Sequence, residues 1–500
     1  MNDKRRFLIN VISSVTQSLV VAVTLFYLYR YLLHHLDTKS LGVWSVIFAT
    51  ASVSKIAELG ISTGVVKFVA KWLALNERNN AADVIKTAAT AVTLLIGFVL
   101  MVGYLSASWT IPLLVGNEYT PLAISILPYA LLSFLLGALT SVYQSGLDGS
   151  QRMDYRSFLS IFSTLLYFFA CIILVDSQGL PGLGIAQVLQ SLFMLFGNYY
   201  MIRKVLPEIG LLFFGWNTTR FRELLSYGIN AQAASVSITL FSEPITKALL
   251  TNFGGLAMVT YYDMAAKMIT QLRSVVLSAY QAIVPMIATM QESNKDEIPI
   301  VYKRSAEVMF LVSFIMFGAV IGFTPIISRF WIGSYVDAFV FSSYVLSIGW
   351  CINTLNVPAY MINLGTGNLR SNTICHVIMG SVNTIAGLLL SYFLGFNGGI
   401  LGWGLALITG SVYLISTFHK NYNIAFSEVF NRYTVWLVIT LLLFCLVTLI
   451  VSLTSLTFLS TYVAVCGAVI VFSAIVLITQ YQNPLILRVV SFIGTHLAKR

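Results

Sequence analysis

Seven ionisable side chains lie in stretches otherwise apolar enough to cross a membrane. Their spacing groups them as Lys55 with Glu58, Glu243 with Lys247, Asp263 with Lys267, and Arg273 with no opposite charge within a turn of its own helix. An ionised group at the bilayer centre costs at least about 2.5 kcal/mol on insertion scales, so each needs a counter-charge, a water-filled cavity or a route to the surface. Separations of three or four residues make neighbours on a helix, so the first three sets can neutralise themselves. On spacing alone, two chemistries stay open: structural pairing, and contact with a charged ligand inside a cavity.

Polar residues extend the pattern. Asp263, Lys267, Gln271, Ser274, Ser278 and Gln281 follow steps of four or three, which at about 100° per residue confines them to about 80° of arc. Arg273 flanks this stripe. Asn10, Ser13, Ser14, Gln17 and Thr24 form a similar face near the N-terminus, and Asn230, Ser235, Ser242 and Glu243 a looser one. A continuous polar face on a membrane helix must look toward protein or water, not lipid.

The elements that carry these faces follow from composition. Of 500 residues, 58% are hydrophobic and 10% charged, against about 25% charged in soluble domains. Cut into segments of about 20 residues, the apolar material gives an all-α polytopic membrane protein of about 14 transmembrane helices, with no room for a large soluble catalytic domain. Spans are expected near 7–31, 41–64, 87–111, 122–145, 157–176 and 182–202, then a basic connector, 203–223. A second series follows near 224–249, 257–281, 305–328, 337–362, 372–394 and 399–418, with a last pair near 434–453 and 457–480. Lys4-Arg5-Arg6 and the long apolar run after them read as the start of the first span, not as a cleaved signal.

The net charge of +10 reports orientation. Apart from Arg30, Lys39, Lys247 and Arg329, and the intramembrane Lys55, Lys267 and Arg273, the basic residues fall on one side of this topology. The positive-inside rule makes that side, with both termini, cytoplasmic. No nucleic-acid partner is therefore needed to explain the charge. Cys171, Cys351, Cys375, Cys445 and Cys466 lie in apolar stretches without paired spacing, and the five histidines lack metal-ligand spacing. There is no G-x-x-x-x-G-K-[ST] or G-x-G-x-x-G motif, so no cofactor, no metal and no nucleotide-driven step is expected.

Sliding the chain along itself reveals a weak ordered repeat at an offset of about 218 residues. Leu41-Gly-Val-Trp44 meets Val259-Thr-Tyr-Tyr262, Gly116 meets Gly333, Gly149-Ser-Gln-Arg152 meets Gly367-Asn-Leu-Arg370, and Gly184 meets Gly402. Two six-helix lobes in parallel repeat are expected, as an N-lobe over 1–218 and a C-lobe over 219–433, with 434–500 as an additional helix pair and tail. Transporters built from parallel repeats place substrate between the lobes. Lys55 and Arg273 lie 218 residues apart, at equivalent places in the two lobes.

Leu41-Gly-Val-Trp-Ser45, Glu58-Leu-Gly-Ile-Ser62 leading into Val66-Lys-Phe-Val-Ala70, Gly146-Leu-Asp-Gly-Ser-Gln-Arg-Met-Asp154 and Tyr261-Tyr-Asp-Met-Ala265 are the most specific segments. Through them the first twelve spans resemble the Wzx polysaccharide flippases of the multidrug/oligosaccharidyl-lipid/polysaccharide (MOP) exporter superfamily. The resemblance implies two bundles around a central cavity, alternating access, and movement of an undecaprenyl-diphosphate-linked oligosaccharide to the outer leaflet of a bacterial inner membrane. Polysaccharide polymerase and chain-length proteins would be the pathway partners. Lys55, Arg273 and Lys267 would then be the substrate-binding cations, since arginine offers phosphate a fork and lysine a mobile point charge. Asn10, Gln17, Glu58, Glu243, Lys247, Asp263 and Gln271 would be the polar or coupling residues of the cavity. A lipid II-type flippase and a cation-coupled drug antiporter of the same superfamily are the nearest alternatives. A membrane glycan polymerase or ligase fits less well, because the outward connections are short and poor in His, Asp and Glu.

Overall fold

The computed structural model describes residues 3–228, 243–280, 283–429, 432–453, 467 and 470–476, which are helical with no strand among them. The first series runs α1 (Asp3–His35), α2 (Thr38–Ser52), α3 (Ile61–Ala74), α4 (Arg78–Leu105), α5 (Ala107–Val115), α6 (Thr120–Gly149), α7 (Met153–Gln178) and α8 (Leu180–Val205). Helix α9 covers 218–228. There follow α10 (Glu243–Gly254), α11 (Leu256–Tyr280), α12 (Ile283–Ser293), α13 (Ile298–Ile327), α14 (Asp337–Leu355), α15 (Val357–Thr366), α16 (Arg370–Leu394), α17 (Phe396–Asn421), α18 (Phe426–Val429) and α19 (Arg432–Leu453).

Among the described residues, ten helical segments are long and apolar enough to cross a membrane, and they coincide with the first six and the ninth to twelfth expected spans. The eighth falls on α11, which has the length, 25 residues, but carries Asp263, Lys267 and Arg273 along its middle. The thirteenth falls on α19. Much of the seventh and most of the fourteenth lie outside the described residues.

Two expected spans are broken, each for a local reason. The second leaves the α-helix for a 3₁₀ turn, Val53–Glu58, and then Leu59 (φ 51°) and Gly60 (φ 67°) are left-handed in succession, which ends a right-handed ladder. The tenth breaks at Asn356, before Val357 and Pro358 open α15, as a proline without an N–H dictates. Pro128, by contrast, sits inside the unbroken α6.

Contacts divide the chain into two compact units, Met1–Ala279 with His376–Gly402, and Tyr280–Cys375 with Trp403–Arg500. In the first, α4 turns a face of Ala81, Ala82, Ala88, Ala89 and Ala91 inward, and small residues let backbones approach where no water drives association. Val84, Ile85, Val142, Tyr143, Leu147 and Ile202 fill that core. The connector after α8 is strapped onto it: Tyr143 donates to Phe213 O at 2.8 Å, Tyr199 to Gly210 O at 3.1 Å and Thr90 to Gly215 O at 2.9 Å. In the second unit, Phe310, Phe317 and Phe339 are buried, and the side-chain amides of Asn353 and Asn356 both donate to Ser411 Oγ at 3.0 Å, tying the α14–α15 break to α17.

The repeat is visible in the helix starts. The offset is 218 residues from α2 to α11, 217 from α6 to α14 and 216 from α8 to α17. The sequence match of Gly184 with Gly402 therefore gives way to another. Gly179 (φ 61°) and Gly395 (φ 60°) turn the two corresponding hairpins. Directly after them a Cβ on Gly182 would strike Leu174 O, and one on Gly398 would strike Leu390 O.

A candidate ligand cavity with a shared carboxylate

The polar stripes on α1 and α11 each tie one helix to another, whereas the side chains of the looser face, Asn230, Ser235, Ser242 and Glu243, lie outside the described residues. On α11, Asp263 and Lys267 lie one turn apart and face the same way, while α10 presents Lys247 to them. Asp263 Oδ1 accepts from Lys247 Nζ at 2.7 Å and Oδ2 from Lys267 Nζ at 2.9 Å. Tyr29 of α1 donates to Oδ2 at 2.9 Å, Lys267 donates to the Tyr29 hydroxyl, and its ammonium stands 4.8 Å from the Tyr29 ring centre. Lys247 also reaches the carbonyl of Ser45 on α2, at 3.5 Å.

Burial separates the two lysines. The side chains of Asp263 and Lys247 are 4% and 5% exposed, whereas that of Lys267 is 42% exposed. Desolvating a charge costs several kcal/mol unless partners restore what water gave, so the carboxylate and Lys247 hold each other in place. Lys267 shares the same carboxylate but faces open space.

That space is a cavity of about 360 Å³. Lys247, Asp263, Lys267, Gln187 and Gln190 supply its polar wall; Leu28, Trp44, Phe48 and Phe134 supply apolar wall. Gln187 donates to Gln190 at 3.1 Å. The helices around it are pinned by Gln271 on α11 donating to Ser18 O at 3.1 Å, Gln17 on α1 donating to Ser160 on α7 at 2.9 Å, and Thr260 on α11 donating to Thr38 O at 2.6 Å. Gly42 admits the close approach of α2 to α11, since a Cβ there would overlap the backbone of Leu256.

The structure thus brings Lys247, Asp263 and Lys267 to one cavity and uses Gln17 and Gln271 to hold its walls. Glu58 lies elsewhere, accepting from Ser141 on α6 at 3.4 Å. Arg273 is half-buried on α11, within electrostatic reach of His376 on α16. Lys55 lies in the 3₁₀ turn after α2, Asn10 in α1 and Glu243 at the head of α10; their side chains, and so the pairing of Lys55 with Arg273, lie outside the described residues. Sequence reasoning passed over Tyr29, Gln187 and Gln190. The signal for Tyr29 was weak, because an aromatic near a span end normally reads as an interfacial anchor.

Among the described residues no group of three or more His, Cys, Asp or Glu could hold a metal. What the cavity offers is an accessible ammonium backed by a fixed ion pair, next to amides and aromatic surface. Such a set can hold an anion and polar groups attached to it.

Solved structures that share this fold include the inward-closed lipid II flippase MurJ, at 13% identity over 96% of this chain and 99% of that one, TM-score 0.69. An inward-facing multidrug resistance MATE family transporter of the MOP superfamily has 12% identity over 82% and 98%, TM-score 0.69. A MOP superfamily transporter from Pyrococcus furiosus, described as having a binding pocket of reversed polarity, has 13% identity over 83% and 95%, TM-score 0.63. Comparison with curated proteins finds no match. The family model for polysaccharide biosynthesis proteins matches residues 4–291, more than half of a chain whose helices follow the MOP-type arrangement, and the chain belongs to that family.

Proposed function

We propose that this protein is a flippase that carries an undecaprenyl-diphosphate-linked oligosaccharide from the cytoplasmic to the outer leaflet of a bacterial inner membrane, by alternating access of its two repeat lobes. The observation that carries the reading is the accessible Lys267, set on a buried ion pair in a cavity with amide and aromatic walls, in a chain of the polysaccharide biosynthesis family. An ammonium suits the diphosphate, and amides and aromatic rings suit the sugars attached to it. Lys55 and Arg273, at equivalent places in the repeat, extend the cationic path in this reading, with the N-lobe over 1–218, the C-lobe over 219–433 and both termini cytoplasmic. Polysaccharide polymerase and chain-length proteins would be its pathway partners.

A cation-coupled drug antiporter fits less well. It needs a carboxylate free to exchange a cation, and Asp263 is already held by two ammonium groups and a phenol.

The test is translocation of a labelled undecaprenyl-diphosphate oligosaccharide across reconstituted vesicles, comparing wild type with Lys55→Ala, Arg273→Ala and Lys267→Ala. Transport by the wild type, and its loss in folded variants, is the expected result. Efflux of cationic dyes without lipid translocation would overturn the reading in favour of an antiporter.

A further inference from the structure

The cavity contains an anion of its own. Asp263 places each carboxylate oxygen on a different lysine, and the two lysines differ in what they can do next. Lys247 is sealed in with the carboxylate, while Lys267 is open to the cavity and keeps its ammonium on Asp263 and Tyr29. Moving Lys267 exposes little that was buried, and the Lys247–Asp263 pair stays neutral without it. Moving Lys247 would strand a buried charge.

We infer that Asp263 is a stand-in for the ligand's phosphate: it holds Lys267 while the cavity is empty and yields it to a diphosphate when one enters. The inference deepens the flippase reading and rests on it for the choice of ligand. Lys267 swings on its four-carbon stem from Oδ2 of Asp263 to a phosphate oxygen, Lys247 retains the carboxylate, and Tyr29 keeps its donor on Oδ2. No bond is made or broken beyond hydrogen bonds and ion pairs. The exchange sets a threshold on the ligand. A group with less negative charge than the carboxylate it replaces gains nothing, so a neutral glycan cannot take Lys267, whereas a diphosphate with more than one charge can. The carboxylate also competes for Lys267 after translocation, which gives release a driving force that a purely cationic pocket lacks.

The inference makes a prediction of opposite sign for two neighbouring residues. Asp263→Asn removes the competitor and should tighten binding of the diphosphate. Lys247→Gln leaves Asp263 wholly to Lys267 and should weaken binding, although Lys247, 5% exposed in the cavity wall, keeps its own ammonium on Asp263. The experiment is equilibrium binding to the full chain in nanodiscs, with inorganic pyrophosphate, inorganic phosphate and undecaprenyl diphosphate as separate probes and Lys267→Gln as the reference. Expected are about tenfold tighter binding in Asp263→Asn, about tenfold weaker in Lys247→Gln and loss of binding in Lys267→Gln, with pyrophosphate ahead of phosphate. Stronger binding of undecaprenyl diphosphate than of pyrophosphate assigns the ligand to the lipid; equal binding assigns it to a free diphosphate. If Asp263→Asn does not fold, Lys247→Gln alone decides. Weakened binding in Asp263→Asn, or binding unchanged in Lys247→Gln, overturns the stand-in role. Pyrophosphate binding with these signs but no lipid translocation in vesicles would leave the exchange in place and sink the flippase reading instead.

Discussion

The phenol of Tyr29 on α1 donates to Oδ2 of Asp263 on α11 at 2.9 Å, joining residues 234 positions apart in the chain. The bond fastens α1 to α11 within one compact unit.

Replacing Tyr29 by Phe removes this donor and the acceptor used by Lys267 while keeping the ring. A hydrogen bond to a charged group contributes about 1.5 to 3 kcal/mol, and loss of thermal stability of that order is expected. Thermal melts of the solubilised protein, monitored by size-exclusion fluorescence, would read it; an unchanged midpoint would show the bond to be dispensable.

Asymmetric costs are expected from the ion pairs. Asp263→Asn strands Lys247 in a site where its side chain is 5% exposed, and breaking a buried pair in this way costs about 3–5 kcal/mol. Lys247→Met leaves Lys267 to neutralise Asp263, so its cost should be clearly smaller. Equal losses in the two variants would mean that Lys267 does not share the carboxylate as the geometry has it.

The two hairpin glycines give a test of the repeat. Gly182→Ala and Gly398→Ala each drive a methyl group into a backbone carbonyl of the preceding helix, and overpacking of this kind costs about 1–3 kcal/mol. Similar penalties are expected at the two positions. Gly137 on α6 has nothing within 4 Å of a Cβ, so Gly137→Ala should stabilise by up to about 1 kcal/mol through helix propensity. Melting the three variants side by side checks all of this.

Outside the spans, the hydrogen bond from Lys303, with another from the Ala425 amide, holds the Glu428 carboxyl below the usual carboxylate range. A carboxylate depressed in the folded state contributes stability above its unfolded value, about 4.3, and loses it as pH falls through the folded one. The difference in melting temperature between wild type and Glu428→Gln should therefore shrink on acidification from about pH 6 to below pH 4. A difference that widens with acid would contradict the pairing.

The legibility of these features in the sequence follows from what periodicity can see. Apolar runs place helices, so ten spans are legible from the sequence alone, and the four-residue step puts Asp263 beside Lys267. Periodicity sees neighbours on one helix only. The contact of Lys247 with Asp263 crosses from α10 to α11, and nothing in the spacing of Glu243 and Lys247 points to it. Leu59 is an ordinary helix former, so the break it makes with Gly60 could not be read from residue type. The repeat was legible as an average offset, but two residues of drift between α2 and α8 moved the glycine match from Gly184 to Gly182.

The charges on α11 also bear on the order in which the membrane protein is assembled. Asp263, Lys267 and Arg273 each carry an insertion penalty of about 2.5 to 3.5 kcal/mol at the centre of an isolated helix, so α11 is a poor candidate to enter lipid alone. Its counter-ion on α10 and its phenol on α1 are both synthesised before it. The earlier helices therefore have to stay gathered at the insertion machinery until α11 arrives, and its integration should fail in a truncated chain that begins after α10.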